Sequence, residues 1–245
     1  MIFAPSATRS PPLKRAALAV VSALALTSAL TACSGEDTPS SAPTTPKAKQ
    51  ITPAQRLAKA MVTEDDLPGY NVSELEAQYA FAKSADEVTV DKPGCAPLAY
   101  AMNQLPLGKP QADLTRSAGA GYGKTSTYVT LASYEPAAEA ESSLAGLAKA
   151  VSKCGGGFTA KAGKNSTAYG SVTAEKGTAA GAVAFRSTMT FRGVTHTLHT
   201  EAVRDGDVLA VYFAVNGFAI ADSKRPSDAT MPANVVRAQN SKLAK

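Results

Sequence analysis

The chain has 245 residues, with 25 Lys and Arg against 20 Asp and Glu and a formal charge of +5. Three of those cations lie in residues 1–32, which hold no acid, so residues 33–245 carry only +2. With no basic run, no aromatic–basic interleaving, two histidines and three cysteines, the composition argues against a nucleic-acid partner and offers little to a metal.

Met1 to Arg15 carries Arg9, Lys14 and Arg15, and Ala16 to Leu30 is uncharged, mostly apolar and too short for a permanent membrane helix. That is the layout of a secretory signal. It runs directly into Leu30-Thr31-Ala32-Cys33, which resembles the lipobox of bacterial lipoproteins. The resemblance implies cleavage after residue 32 and a diacylglyceryl group on Cys33. The alternative is an ordinary secretion signal with a cysteine near its end. Two acyl chains suffice for stable anchoring. The expected location is therefore the extracytoplasmic face of the cell membrane, with the membrane itself a partner through Cys33. The longest later apolar run, Val208 to Ala221, is interrupted by Asn216 and Gly217 and is too short to span.

Ser34 to Gln50 has three prolines and no Leu, Ile, Val or aromatic residue. It cannot bury a core, so residues 33–50 are expected to be a solvated tether of roughly 20–25 Å, with a folded domain over 51–245. Thr52-Pro53-Ala54-Gln55 has a capping-box pattern with Pro at the first helical position. A second helix follows Cys95, with Leu98, Ala99 and Met102 at helical spacing. The clearest helix opens at Pro136. It lines Ala140, Leu144, Leu147, Val151 and Cys154 on one face and ends at Gly155 to Gly157. A last amphipathic helix runs through Val235, Val236, Gln239 and Leu243. After Cys33 only Cys95 and Cys154 remain, and an exported domain with two cysteines reads as one disulfide, against the alternative of two buried thiols. Closing a loop of about 60 residues would stabilise by roughly 4 kcal/mol.

Ser126 to Tyr134 and Thr167 to Glu175 read as strands. From Val183 to Val215 three alternating strands meet at Arg192-Gly193 and Asp205-Gly206, the second a strong type I′ hairpin signal. Two-residue turns there pair Phe191 with Val194, Phe185 with Thr200 and Leu198 with Phe213. One face then carries Val183, Phe185, Met189, Phe191, Leu198, Ala202, Leu209, Val211, Phe213 and Val215. The other carries Arg186, Thr188, Thr197, His199 and Glu201. The expected fold class is α+β, a twisted antiparallel sheet with helices on one side, a single two-layer domain.

"AGAGYGKTST", Ala118 to Thr127, has the ending of a phosphate-cradling loop but not its spacing. Ala118 stands where the first glycine is required, and a strand-like segment follows where a helix should open. The glycines suit a hairpin, a bulge or a close backbone approach instead. His196 and His199 are three apart on a strand, so they point to opposite faces and cannot share a metal. No metal site and no cofactor is expected, and His196 reads as a satisfied, partly buried core histidine. On the outer face His199 lines up with Arg186 and Tyr212 across three strands. That row either recognises an anion or polar ligand or is cross-strand packing. Glu64, Asp65 and Asp66 lack calcium-loop spacing and suit the first turn of a helix. No nucleophile elbow, zinc-helix motif or Ser-x-x-Lys run is present, so no enzyme is expected and there are no candidate catalytic residues.

"LPGY" after the first helix, "CAP" opening a helix, a helix ending in "VSKC", "VRDGDVLAVYFAVN" and a terminal helix together resemble the PknH-like extracellular sensor domain. That domain caps bacterial receptor serine/threonine kinases and also occurs in free-standing lipoproteins. The resemblance implies a twisted antiparallel sheet flanked by helices around a cleft, with a ligand-binding role. This chain departs from the family's four cysteines and from its tryptophan before the second helix cysteine, so no ligand residue is carried over. The expectation is a non-catalytic module binding an unknown small molecule or protein, the alternative being a carrier of a lipid or other hydrophobe.

Overall fold

The computed structural model describes residues 51–75, 80–222 and 224–245. The expected signal peptide, the expected lipidation site at Cys33 and the expected tether lie outside the described residues.

Among the described residues nine strands form one sheet, in the order β1-β3-β4-β9-β8-β7-β6-β5-β2, and all its strand pairings are antiparallel. The strands are β1 (Asn71–Glu74), β2 (Val88–Val90), β3 (Ala112–Gly119), β4 (Ser126–Ser133), β5 (Phe158–Ala162), β6 (Asn165–Glu175), β7 (Val183–Phe191), β8 (Val194–Asp205) and β9 (Val208–Val215). The helices are α1 (Pro53–Ala60), α2 (Ala96–Ala101), α3 (Ala138–Lys153), α4 (Gly217–Asp222) and α5 (Ala233–Leu243). After β4 the chain crosses the sheet through α3 to reach β5. It then returns strand by strand to set β9 against β4. Gly157, at φ +76, makes the turn out of α3, where an added Cβ would lie 2.1 Å from the Tyr169 carbonyl oxygen. Only glycine fits there.

The four expected helices form. Thr52 Oγ1 accepts from Gln55 N at 3.2 Å and Gln55 Oε1 accepts from Thr52 N at 2.9 Å, completing the capping box. Cys95 and Cys154 are joined, with Cα atoms 6.0 Å apart, so the bridge ties the start of α2 to the end of α3. The glycine-rich stretch forms the β3–β4 hairpin loop, with Gly121 and Gly123 at positive φ.

The sheet departs from expectation in two ways. First, helices pack on both of its faces rather than one, so the two-layer arrangement gives way to helix–sheet–helix. Ala132, Leu209, Val211 and Phe213 share one apolar cluster with Leu98 of α2 and Leu147 of α3. Val129, Leu131, Ala210 and Tyr212 share a second with Leu57 of α1 and Val235 and Val236 of α5. A strand buried on both faces is continuously apolar, and the β9 sequence VLAVYFAV is such a run.

Second, the β8–β9 turn lies one residue later than expected. Asp205 pairs with Val208, and Thr200 rather than Leu198 pairs with Phe213. Gly206 alone takes positive φ, +57, within this turn. The shift brings Asp207 to the turn, where its carbonyl accepts from Tyr134 N at 2.9 Å and its Oδ1 accepts from Arg56 Nη1 of α1 at 2.9 Å. The type I′ requirement of two positive φ values is met instead by Arg192 (48°) and Gly193 (81°), with the Arg192 guanidinium 5.1 Å over the Phe191 ring. The turn shift changes partners without changing faces, so the expected apolar face is the one packed on α2 and α3, except for Phe191 at the hairpin end, which is 38 % exposed.

Candidate functional site

On the face that carries α1 and α5, one row runs Thr173, Arg186, His199, Ala214, Thr127 across β6, β7, β8, β9 and β4. The next runs Glu175, Ala184, Glu201, Tyr212, Val129. The expected pairing of Arg186 with His199 holds, but Tyr212 is not in their row. The displaced β8–β9 turn sets Ala214 opposite His199 and moves Tyr212 opposite Glu201. Tyr212 is also fully buried, its hydroxyl donating to Asn240 Oδ1 of α5 at 2.5 Å. Burial, with the Glu201 charge beside it, pushes its ionisation far up. It is a core residue and no part of a recognition surface.

Where α5 leaves the sheet uncovered, a cleft of about 540 Å³ opens over β6, β7 and β8, its lining including Glu175, Arg186, His199, Glu201, Thr178 and Met231. His199 Nδ1 lies 2.8 Å from Glu175 Oε2, and its Nε2 lies 2.7 Å from Asp228 Oδ1. Each ring nitrogen of His199 therefore faces one carboxylate oxygen. Arg186 Nη1 approaches the other Glu175 oxygen at 3.6 Å. Asp228 comes from the segment between α4 and α5, which docks beside β8. Thr197 N donates to Ser227 O at 2.8 Å, and Ala229 N donates to Thr197 O at 3.2 Å.

Glu201 is 2 % exposed, and its carboxylate accepts from Thr178 N at 2.9 Å, Thr178 Oγ1 at 2.8 Å and Ala179 N at 3.2 Å. These bonds satisfy its buried charge and latch the β6–β7 connection over the end of the cleft. At the far end of the first row Thr127 Oγ1 is buried without a hydrogen-bond partner.

His196 points to the opposite face, as its spacing from His199 requires. It is fully buried rather than partly, and half rather than wholly satisfied. Nδ1 lies 2.9 Å from Ser227 Oγ, while Nε2 has no partner. Among the described residues no three His, Cys, Asp or Glu side chains are grouped to hold a metal ion. The acidic cluster does helix-start work. Asp66 Oδ2 accepts from Thr63 N and Thr63 Oγ1, both at 2.8 Å, and pairs with Lys242 of α5. The Lys242 hydrogen bond holds the Asp66 carboxyl at about 2, below the usual carboxylate range, against the opposing effect of desolvation.

Sequence reasoning missed Glu175, Asp228 and the buried role of Glu201. Glu175 was legible once β6 was paired with β7, since it follows Thr173 on the Arg186 face. Asp228 carries no local signal, because it reaches His199 only through the docking of an irregular segment.

No family model and no curated protein matches the chain. Among solved structures, it is similar in fold to the extracellular domain of PknH from Mycobacterium tuberculosis. The TM-score is 0.52 at 8 % sequence identity, over 80 % of this chain and 96 % of that one.

Proposed function

We propose that this chain is a non-catalytic extracytoplasmic sensor module, held at the membrane by a diacylglyceryl group on Cys33, that recognises an ionised polar ligand in the Arg186–Glu175–His199 cleft. The observation that carries this reading is His199, clasped between Glu175 of β6 and Asp228 of the segment leading into α5. A ligand ammonium can replace His199 at either carboxylate, and a ligand carboxylate can replace Glu175 at Arg186. Displacing His199 from Asp228 loosens the segment docked at Thr197, so occupancy of the cleft is linked to the approach to α5. The fold shared with the extracellular domain of PknH supports both the sensor role and the location outside the membrane.

The cleft is tested by hydrogen exchange over residues 225–232 of the purified chain, with amino acids, dipeptides and dicarboxylates as probes. A saturable change caused by one of them, lost in Arg186→Ala, supports the reading; no change with any probe overturns it. Lipid co-purifying inside the protein, seen by native mass spectrometry, would replace it with the carrier reading. The anchor is tested separately by detergent phase partition of the chain expressed in a bacterial host. Partition into the detergent phase should be lost in Cys33→Ser, and a chain that stays aqueous with its cysteine intact has no lipid there.

A further inference from the structure

A second cavity, of about 360 Å³, opens on the opposite face of the sheet, beside the C-terminal end of α2. Its wall is unlike that of the charged cleft, because among the described residues no charged side chain contributes to it. The half-buried Tyr128 supplies aromatic surface, with the buried Tyr169 and Phe213 behind it, and the carboxamides of Asn103, Gln104 and Asn165 supply polar groups. The Tyr128 and Phe213 rings are stacked at an interplanar angle of 19° with centroids 6.2 Å apart. Asn103 donates to Ala99 O at 2.7 Å and to the Tyr169 hydroxyl at 3.2 Å, which leaves its Oδ1 to accept.

Gln104 is the informative residue. Leu105 N donates to Tyr100 O at 3.1 Å, the long bond of a Schellman cap closing α2, so Gln104 occupies the left-handed position at φ +58. Glycine is the usual residue there because a Cβ is disfavoured. A glutamine stands there against that preference, and its side chain does little for the fold. Its Nε2 makes only a long bond, 3.4 Å, to Met102 O. Gln104 also lines a neighbouring cavity of about 550 Å³, so its amide stands between two openings. Backbone cost kept at a cavity mouth points to use of the side chain there.

We infer that this cavity binds a neutral saccharide, with Gln104 and Asn165 as contacts at its mouth. Carboxamides offer donor and acceptor together, which matches hydroxyl groups that also do both. The half-buried Tyr128 ring suits the apolar face of a sugar ring. Among the described lining residues an ionic ligand finds no counter-charge, and an acyl chain would offer no hydrogen bond to the Asn103 Oδ1. The volume lies in the ~300–1,000 Å³ range of small-ligand pockets. The inference is independent of the charged cleft, whose failure to bind would leave it standing.

The test uses the ¹⁵N-labelled full chain titrated with cellobiose, maltose and N,N′-diacetylchitobiose, with decanoate as a hydrophobic probe. At least one disaccharide should produce saturable shifts of the Gln104 and Asn165 side-chain amides. Gln104→Gly should weaken that binding at least tenfold while raising Tm by about 2–4 °C, because the strained position is relieved. Arg186→Ala, in the other cleft, should leave the affinity unchanged. The inference is overturned if no disaccharide saturates, if Gln104→Gly binds as the parent does, or if decanoate alone shifts these amides. A loss of binding accompanied by a lower Tm would make Gln104 a structural residue and overturn it equally.

Discussion

The two faces of the sheet are closed by different means. On one, α2 and α3 lie over an apolar surface that runs from Ala132 of β4 to Phe158 of β5, and the Cys95–Cys154 bridge locks the two helices to each other. On the other, α1 and α5 share a smaller apolar cluster with β3, β4 and β9, and polar contacts fasten them around it. Arg56 of α1 takes Asp207 in the β8–β9 turn, and Lys242 of α5 takes Asp66. Gln239 of α5 accepts from Val62 N at 2.9 Å and donates to Ala60 O at 2.7 Å, which closes the C-terminal end of α1. One face is therefore sealed under α2 and α3 by apolar area and a covalent bond, its cavity opening beyond the end of α2. The other is buttoned at its rim and left open over β6 to β8, where the charged cleft lies.

The largest expected effect breaks the sealed face. Cys95→Ala with Cys154→Ala removes a cross-link spanning a sequence separation of 59. It should lower stability by about 4 kcal/mol in urea denaturation. Exchange in α3 should then rise ahead of exchange in α5; a double variant whose α5 loosens first would mean that the bridge does not set the order of opening. Next comes a button on the other face. Tyr212→Phe keeps the ring and removes the hydroxyl bond to Asn240, leaving that buried-side partner without its donor. A loss of about 1 kcal/mol is expected, confined to α5 in hydrogen exchange.

Acid should separate the faces without any substitution. Asp66 is held at about 2 by Lys242, and Asp207 is held below the usual carboxylate range by Arg56. Carboxyls depressed by folding contribute stability above their unfolded values, near pH 4, and lose it as pH falls through their folded values. Both pairs are partly exposed, so the combined effect is on the order of 1 kcal/mol. Between about pH 4 and pH 2 protection should therefore fall in α1 and α5 while α3 holds. Equal loss on both faces would show that these ion pairs do not fasten α1 and α5.

The sealed face is legible in the sequence because its signals are local. The 3.6-residue spacing of the α3 apolar positions, the two cysteines and the alternation from Val183 to Val203 each appear within one window. The buttoned face is not, for two reasons. Alternation carried on from β8 makes VLAVYFAV one side of a half-buried strand, although a run without polar interruption is the mark of burial on both sides. The Asp205-Gly206 pair also signals the right hairpin with the wrong turn residues, because a long-range contact, Asp207 to Arg56, decides the register. That difference of one residue is what carries Tyr212 into the expected row. β3, with the sequence ADLTRSAG, lacks the β-branched and aromatic content that marks a strand, and is held in place by β4.

The smallest effect tests whether the open part of the second face is free for binding. The Arg186 side chain is 53 % exposed and meets Glu175 at 3.6 Å without a close hydrogen bond. An exposed pair of this kind contributes ~0–1 kcal/mol, so Arg186→Ala should change unfolding free energy by less than about 0.5 kcal/mol. His199→Ala should cost more, because it removes the imidazole that bridges Glu175 and Asp228. That difference follows from position in the row. Arg186 stands at the cleft's exposed edge, while His199 ties the sheet to the segment before α5. Should Arg186→Ala destabilise as much as His199→Ala, the guanidinium would be another fastener of the fold, and the uncovered strands would serve stability just as the covered ones do.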